Sequence, residues 1–455
     1  MSRSVNSVLV VGGGTAGWLA AAIIAAQHQS PDGDGLQVTL VESSDIPTVG
    51  VGEGTWPTMK NTVQQIGIKE SELFSRCFAG FKQGGKFVDW VHGNGDFYYH
   101  PFTVPLGYGR VDLAPYVEDI DAYATESNFQ QSVCEAGLAP RTMADSEYGG
   151  PCNYAYHLDA GAFAELLKEF CQEQLGVQHI VATVERAVLA EDGSIASIEL
   201  EQGEPLTADL YVDCTGFRSL LLGKSMGVPF KNTDDVLFND TALAMQVPYP
   251  SGNSPVACHT IATAQNAGWI WDIGLTHRRG VGHVYSSEFL SDDEAESNLR
   301  KHIGADAADL SARKIGFESG HRTQFWKKNC VAVGMSAGFV EPLEATAIML
   351  VEISARYIAE NLPPHRDVLD ITAKRFNQQM DYRWRRIIDF LKLHYMLNQR
   401  PEPYWVKHRD AATIPESLQE DLAMWRYRGP VRGDFDSAIE LFPAASYQYV
   451  IYGMG

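Results

Sequence analysis

Three glycines near the N-terminus have the spacing of a dinucleotide-binding turn. Gly12, Gly14 and Gly17 follow a β-branched, strand-like run at 7–11 and precede an alanine-rich, helix-prone stretch at 15–27. In such a turn the first glycine allows a tight bend, the second lets the backbone approach a pyrophosphate, and the third allows close packing of helix on strand. The free N–H groups at the helix start, here at Thr15 and Ala16, then face the phosphates. The spacing therefore predicts dinucleotide binding, the alternative being a glycine-rich turn without a ligand.

Acidic residues end two further predicted strands. Residues 36–42 read as a buried strand, and its last residue, Glu42, stands where an acid binds ribose hydroxyls. Another strand-like run ends in Asp213-Cys-Thr-Gly216. That ending is similar to the second FAD contact of glutathione-reductase-like flavoproteins, so it favours FAD over NAD. No second G-x-G-x-x-G occurs in the sequence, and the flavin is therefore expected to be reduced by another protein or by transiently docked nicotinamide.

Five segments together resemble the flavin-dependent halogenases of the tryptophan-halogenase family. They are VVGGGTAGW at 10–18, VGVGEGTWP at 49–57, FKQGGKF at 81–87, GWIW at 268–271 and FVEPLEAT at 339–346. The resemblance runs from the first strand to near the C-terminus. It implies an enzyme that uses reduced FAD, oxygen and chloride or bromide to form hypohalous acid, which then travels to a lysine beside an electron-rich aromatic substrate.

Within this resemblance, Lys82 matches the lysine that meets the hypohalous acid, and Glu344 matches the second catalytic residue. An ordinary lysine pKa of about 10.4 predicts an ammonium, which can donate a hydrogen bond to the acid. A neutral amine would instead form a haloamine, and the sequence leaves both open. The Glu344 carboxylate would accept the proton that the ring loses. The N–H groups of Thr346 and Ala347 are the expected halide contacts, with Ala347 where the family more often has glycine.

The resemblance also assigns contacts around the flavin and the substrate. The further cofactor contacts are expected from Gly50, Gly52, Glu53, Gly334 and Pro342. The substrate contacts are expected from His100 and Phe102, which would sandwich the ring, from Trp269 and Trp271, which would separate the substrate from the flavin, and from Tyr447 in the recognition segment. The tryptophan motif continues with Ile273-Gly274 where the family usually has Ile-Pro. Proline would fix φ and remove a donor, so this strand is expected to end differently.

An α/β fold is needed to bring these residues together. Strand, glycine turn, helix and strand form a βαβ unit at the N-terminus. Later strand-to-glycine junctions indicate one glutathione-reductase-like, Rossmann-type sheet assembled from distant segments. We predict a discontinuous FAD-binding module (1–60, 180–226 and 325–362), an interleaved substrate-binding module (61–179 and 227–324) and a mostly helical C-terminal region (363–455) that completes the substrate site. Residues 346–361 are predicted to be helical, and 367–397 to be a long surface helix with a charged face.

Composition excludes several classes of partner. The 455-residue chain carries a net charge of −21 and is 45% hydrophobic, so it can build a large core but offers no basic stripe for nucleic acid or for anionic membranes. Seven scattered cysteines form no C-x-x-C pair. This pattern predicts reduced thiols, no structural metal and a soluble, cytoplasmic protein.

Other functions remain open at the level of sequence. A flavin monooxygenase that hydroxylates an aromatic ring would share the cofactor, and a flavin-binding protein without catalysis would share the cradle. For a halogenase, the expected partners are a flavin reductase and a small aromatic substrate: indole, a tryptophan-like molecule or a peptide-borne tryptophan. A homodimer is left open.

Overall fold

The computed structural model describes residues 4–30, 35–44 and 52–455. The strands of this part of the chain are β1 (Ser7–Val11), β2 (Gln37–Glu42), β3 (Glu53–Gly54), β4 (Gly80–Lys82), β5 (Gly84–Val88), β6 (Phe97–Pro101), β7 (Ala155–Leu158), β8 (Gln178–Val181), β9 (Val184–Leu189), β10 (Ile195–Leu200), β11 (Leu210–Asp213), β12 (Phe230–Asn232), β13 (Thr241–Pro248), β14 (Thr260–Ala264), β15 (Trp269–Gly274), β16 (Arg278–Tyr285), β17 (Arg313–Gly316), β18 (Gly320–Arg322), β19 (Trp326–Lys327), β20 (Cys330–Ala332) and β21 (Gly338–Phe339). The α-helices are α1 (Thr15–Gln27), α2 (Thr58–Ile66), α3 (Glu70–Arg76), α4 (Tyr123–Ser127), α5 (Gln130–Glu135), α6 (Ala160–Glu173), α7 (Asp292–Ile303), α8 (Thr346–Glu360), α9 (Leu369–Met396), α10 (Pro403–His408), α11 (Glu416–Trp425) and α12 (Ala444–Gly453).

One sheet is assembled from segments that lie far apart in the chain. Its order is β19-β20-β11-β1-β2-β8, and all its pairs are parallel except β19 with β20. The apolar strand β1 is buried beneath α1, which packs against α6 and α8. The register sets Val11 beside both Val41 and Asp213, and Asp213 beside Ala332. The carboxyl ends of four strands therefore meet at one edge, and the predicted α/β fold is confirmed.

Two further sheets carry other candidate residues. A mixed sheet has the order β17-β13-β16-β15-β14-β5-β6, and a small antiparallel sheet has the order β3-β7-β4. The small sheet holds Glu53 on β3 and Lys82 at the end of β4, each paired with β7. The strand β8 crosses the module boundary expected at residue 180. The division into modules stays a prediction.

The surface location expected for residues 367–397 is wrong for half of that segment. The helix α9 exposes Lys374 and Arg375 in its first half, but Arg386, Lys392 and His394 in its second half are buried. These side chains find polar partners inside the protein, which a charged periodicity does not reveal. Although α9 has 28 residues, it is polar, and within the described ranges no helix has both the length and the apolar character of a membrane span.

Candidate functional site

The glycine turn between β1 and α1 is closely packed on one side and open on the other. Gly12 has φ +113°, and a Cβ there would lie 2.3 Å from the Cys214 carbonyl oxygen. A Cβ on Gly17 would lie 1.8 Å from the Gly12 carbonyl oxygen. By contrast, a Cβ on Gly14 would meet no described atom within 4 Å, and Gly14 caps α1 without a side-chain hydrogen bond. The first N–H groups of α1, including those of Thr15 and Ala16, thus face space suited to a phosphate.

Two alanine substitutions in this turn should separate folding from cofactor binding. Gly17→Ala forces its Cβ into the Gly12 carbonyl, so we expect it to destabilise the protein without FAD by about 1–3 kcal/mol, the usual cost of overpacking. Gly14→Ala should leave that stability unchanged but weaken FAD binding at least about tenfold, because its methyl group would occupy the phosphate position. Denaturant unfolding and flavin fluorescence titration measure the two effects. Tight FAD binding by Gly14→Ala would contradict this placement of the pyrophosphate.

Three candidate cofactor residues lie at the carboxyl edge of the parallel sheet. Glu42 ends β2, and its Oε1 lies 2.9 Å from His179 Nε2. Gly216 and Gly334 have φ values of +63° and +70°, and a Cβ on Gly334 would lie 2.9 Å from the Ala16 Cβ. Both glycines adopt a conformation that is costly for other residues. This edge is therefore shaped by the backbone to let a ligand approach closely.

The cofactor role expected for the Asp213 side chain needs correction. Asp213 is fully buried at the end of β11. Its Oδ1 accepts hydrogen bonds from the Thr215 N–H and hydroxyl, and its Oδ2 accepts from the N–H groups of Leu221 and Leu222. Four donors saturate the carboxylate, so it has no free oxygen for a ligand. Asp213 holds the turn that positions Gly216.

The structure describes only the last part of the loop before β3, from residue 52. Gly50 lies outside the described residues. Gly52 has φ +99°, and a Cβ there would lie 3.9 Å from an Arg278 guanidinium nitrogen. Burial raises the pKa of Glu53 to about 7, although the nearby Lys82 opposes this rise. Glu53 therefore lies beside the candidate reaction site and titrates near neutrality. Pro342 lies in the turn before α8, where its carbonyl accepts from the Ala345 N–H.

Lys82 is a buried lysine at the end of β4. Its residue is 4% exposed, and its Nζ lies 5.3 Å from the centre of the Phe102 ring. A Cβ on Gly54 would lie 3.1 Å from this Nζ and 3.3 Å from the Ala345 Cβ. Burial lowers the pKa of Lys82 to about 8, while Glu344 and Glu53 oppose the change. Lys82 is thus far more easily deprotonated than a surface lysine.

Glu344 lies between two histidines. His100 Nδ1 is 3.0 Å from its Oε1 and 3.1 Å from its Oε2, and His394 Nε2 is 3.1 Å from Oε1. Burial alone would raise the pKa of Glu344, but His100 and His394 together hold it well below its usual range. The backbone carbonyl of Glu344 accepts a hydrogen bond from Trp56 Nε1 at 2.8 Å. The carboxylate is therefore ionised, and Glu344 is fixed through both its side chain and its backbone carbonyl.

The start of α8 lies directly after Glu344. Its N-cap, Ala345, has φ +53° and makes no side-chain hydrogen bond to the helix. Thr346 and Ala347 are the first two helical residues, so their N–H groups have no partner within the helix. Among the described residues no side chain caps this end. Free N–H groups and the helix dipole make it suited to an anion such as halide.

The substrate residues expected from the sequence fall into separate groups. His100 and Phe102 lie beside Glu344 and Lys82, as the distances above show. His100 is not free to offer both ring edges, however, because its Nε2 lies 2.9 Å from the Ser446 hydroxyl while its Nδ1 faces Glu344. Only Phe102 among these residues is partly exposed.

The two tryptophans of β15 lie on one face of the strand, as their alternation predicts. Trp269 and Trp271 are both buried, with ring centres 6.4 Å apart in an edge-on arrangement. The six-membered ring of Trp271 lies where a Cβ on Gly282 would be, 2.2 Å from its nearest ring atom. The two rings thus form one buried aromatic surface. The strand continues through Gly274, and a Cβ there would crowd the Ala257 backbone at 3.0 Å.

Tyr447 is buried on α12. Its residue has no exposed surface, and its hydroxyl accepts a hydrogen bond from Arg386 at 2.8 Å. Its ring packs against Phe390, 4.8 Å between centres, and Trp425, 5.1 Å between centres. The structure therefore places Tyr447 in the core behind the site.

Sequence reasoning missed His394, which α9 brings to Glu344. Its Nδ1 lies 2.6 Å from the Tyr98 hydroxyl, so both ring nitrogens face polar groups. Burial lowers the pKa of His394, although Glu344 opposes the change. One signal was available: His394 follows Phe390 by one helical turn within a largely apolar run. A histidine on the apolar face of a helix calls for a buried polar partner.

The fold and the site together define a flavin-dependent enzyme with a nucleotide cradle and a second, buried lysine–glutamate site. The model of the family described as "Tryptophan halogenase" matches residues 7–455. The 7-chloro-L-tryptophan 6-halogenase KtzR of Kutzneria sp. (strain 744) is 35% identical, over 98% of this chain and 90% of that protein.

Two solved structures are similar over almost the whole chain. The tryptophan halogenase from Shewanella frigidimarina NCIMB 400 has a TM-score of 0.95 and 44% identity, covering 99% of this chain and 89% of that one. BrvH, a flavin-dependent halogenase from Brevundimonas sp. BAL3, has a TM-score of 0.87 and 34% identity, covering 100% and 90%. The chain belongs to the tryptophan halogenase family and is a flavin-dependent halogenase.

Proposed function

We propose that this enzyme directs hypohalous acid, formed from chloride or bromide with reduced FAD and oxygen, onto an electron-rich indole or tryptophan-like ring. Lys82 and Glu344 are the proposed catalytic residues. A separate flavin reductase is the proposed source of reduced FAD. The observation that carries the proposal is the burial of this lysine and this carboxylate at one site, where Glu344 raises the pKa of Lys82 against the effect of burial.

The residues of the glycine turn fit an FAD molecule. The open N-terminus of α1 and the space at Gly14 suit its pyrophosphate, and Glu42 at the end of β2 suits its ribose hydroxyls. When bound, reduced FAD supplies the electrons that activate oxygen, and the activated oxygen can oxidise halide to hypohalous acid. The N–H groups of Thr346 and Ala347 are proposed to hold the halide, because they form the uncapped start of a 15-residue helix.

Lys82 is proposed to orient the hypohalous acid toward the substrate. Since its pKa is about 8, the ammonium form prevails at neutral pH and can donate a hydrogen bond to the acid. That bond draws electron density from the halogen and makes it more electrophilic. Burial of the ammonium strengthens the interaction, because few water molecules compete for it.

Glu344 is proposed to remove the proton that the ring loses after halogen transfer. Its pKa, held low by His100 and His394, makes it a weak base in the resting site but keeps it ionised and ready to accept. His100 is a positioning residue: its Nδ1 lies 3.0 Å from Glu344 Oε1, and its Nε2 lies 2.9 Å from the Ser446 hydroxyl. His394 is a positioning residue that fixes the carboxylate from α9.

The pH dependence of halogenation should report the titration of Lys82. We expect activity to fall as pH rises through about 8, because the ammonium is replaced by the amine. The rate of halogenation measured between neutral and alkaline pH gives this limb. Hypohalous acids also titrate, and the two acids differ in acidity, so chloride and bromide must be compared. A limb at the same pH for both halides supports Lys82; a limb that moves with the halide contradicts the assignment.

The proposed function is tested by reacting the purified enzyme with FAD, a flavin reductase, NADH, oxygen and either halide. Indole, tryptophan and a tryptophan-containing peptide serve as substrates, and mass spectrometry identifies the products. We expect the mass shift and isotope pattern of a halogen on at least one substrate, and none with heat-treated enzyme. A gain of one oxygen instead would identify ring hydroxylation and overturn the proposal.

A further inference from the structure

Three side chains of metal-binding type gather behind the strands that carry Lys82 and His100. Cys134 lies on α5, and Cys258 and His259 lie directly before β14. One ligand atom from each, two sulfurs and an imidazole nitrogen, lie within 4.8 Å of one another. All three residues are buried. Their spacing in the sequence gives no metal-binding pattern, which is why the sequence predicted no structural metal.

The orientation of His259 is set from its far side. The Tyr99 hydroxyl donates a hydrogen bond to Glu135, so toward His259 it can only accept. His259 Nε2 lies 3.4 Å from this hydroxyl, and a ring proton on Nε2 would be donated to it. Its Nδ1 is then left with a free lone pair, 3.9 Å from Cys258 Sγ. This is the tautomer and the outer hydrogen-bond arrangement of a histidine that binds a metal.

The distances are close to those of a zinc site. Zinc–sulfur bonds of about 2.3 Å and zinc–nitrogen bonds of about 2.0 Å place tetrahedral ligand atoms roughly 3.4–3.8 Å apart. Ligand atoms within 4.8 Å therefore need to approach by about 1 Å, which side-chain rotations supply.

We propose that Cys134, Cys258 and His259 form a zinc site. The Cys258 carbonyl accepts a hydrogen bond of 2.8 Å from the N–H of Gln83, the residue after Lys82. Zinc at this position ties α5 to the strand that carries the reactive lysine. The proposal is independent of the halogenase mechanism.

Metal analysis of the untagged protein tests this site. The wild-type chain is saturated with Zn²⁺, desalted and analysed by inductively coupled plasma mass spectrometry. We expect about one tightly bound zinc ion per chain, and its loss in Cys258→Ser and in His259→Asn. Cys171→Ser is the matched control, because Cys171 is a buried free cysteine on α6; that variant should keep its zinc.

A second measurement covers the case in which the variants do not fold. Cobalt(II) added to the wild-type protein should produce the intense thiolate-to-cobalt absorption of a sulfur-rich tetrahedral site, and zinc should displace it. Substoichiometric zinc without the cobalt absorption would overturn the proposal. So would zinc retained undiminished by a folded Cys258→Ser variant, or a Cys134–Cys258 disulfide found by peptide mass spectrometry in the protein as isolated.

Discussion

Replacing Lys82 with alanine should abolish halogenation while the protein still folds and binds FAD. The residue lies at the end of β4, apart from the glycine turn that is proposed to hold the cofactor. Removing a group that positions and polarises a reactant costs about 10²–10⁴-fold in rate. Because the site is buried, a lysine on the protein surface cannot take the place of Lys82. Product formation with bromide, followed by mass spectrometry, and flavin binding, followed by fluorescence, give the two readouts.

The matched control for this experiment is Lys86→Ala. Lys86 is the second lysine of the same sequence motif, but its Nζ pairs with Glu135 at 2.6 Å and lies outside the Lys82–Glu344 site. We expect it to keep activity within about threefold of wild type, since partly exposed ion pairs contribute little. Full activity in Lys82→Ala, or an equal loss in both variants, would remove Lys82 from the proposed mechanism.

Glu344→Gln should slow halogenation by roughly 10²-fold or more, the usual contribution of a positioned base. The amide has nearly the shape of the carboxylate but cannot accept a proton from the ring. It also removes the negative charge that faces His100 and His394. Because halogen transfer precedes proton loss, the slowed step comes after the oxidant is consumed, so the formation of hypohalous acid should be unchanged. Single-turnover product yield and trapping of escaped oxidant by a thiol dye measure both effects.

Glu352→Gln provides a buried comparison on the same helix, α8. Burial raises the pKa of Glu352 to about 7, and its carboxyl group accepts hydrogen bonds from Thr58 and Thr62. The amide oxygen can still accept from one threonine hydroxyl while the amide NH2 donates to the other, so halogenation should stay near the wild-type rate. If Glu344→Gln turned over as fast as this control, the base would have to be another group.

The spacing of residues close together in the chain was enough to predict the glycine turn and the elements on either side of it. The positions of Gly12, Gly14 and Gly17 are set by short-range geometry, and the helix expected after them begins at Thr15 and ends at Gln27, as in the structure. Strand β1 also has its predicted bounds. These features depend on neighbours along the chain, which periodicity and turn chemistry record.

Features that depend on distant contacts were not predictable in the same way. The role of Asp213 changed because its partners, Leu221 and Leu222, are backbone groups that no side-chain motif reveals. His394 was missed because a helix that carries many charges was expected at the surface. The buried second half of α9 is stabilised by partners from α11 and α12, such as Asp421 and Tyr447 for Arg386.

The left-handed conformation of Ala345 has a consequence for engineering. A non-glycine residue at φ +53° costs about 1–2 kcal/mol, and the surrounding packing must offset that strain. Glycine at this position is therefore an obvious choice for a designer who seeks a more thermostable enzyme. It would also loosen the single peptide link between the proposed base and the proposed halide-binding helix start. A substitution of Ala345 by glycine is therefore expected to raise thermostability and to lower the turnover rate.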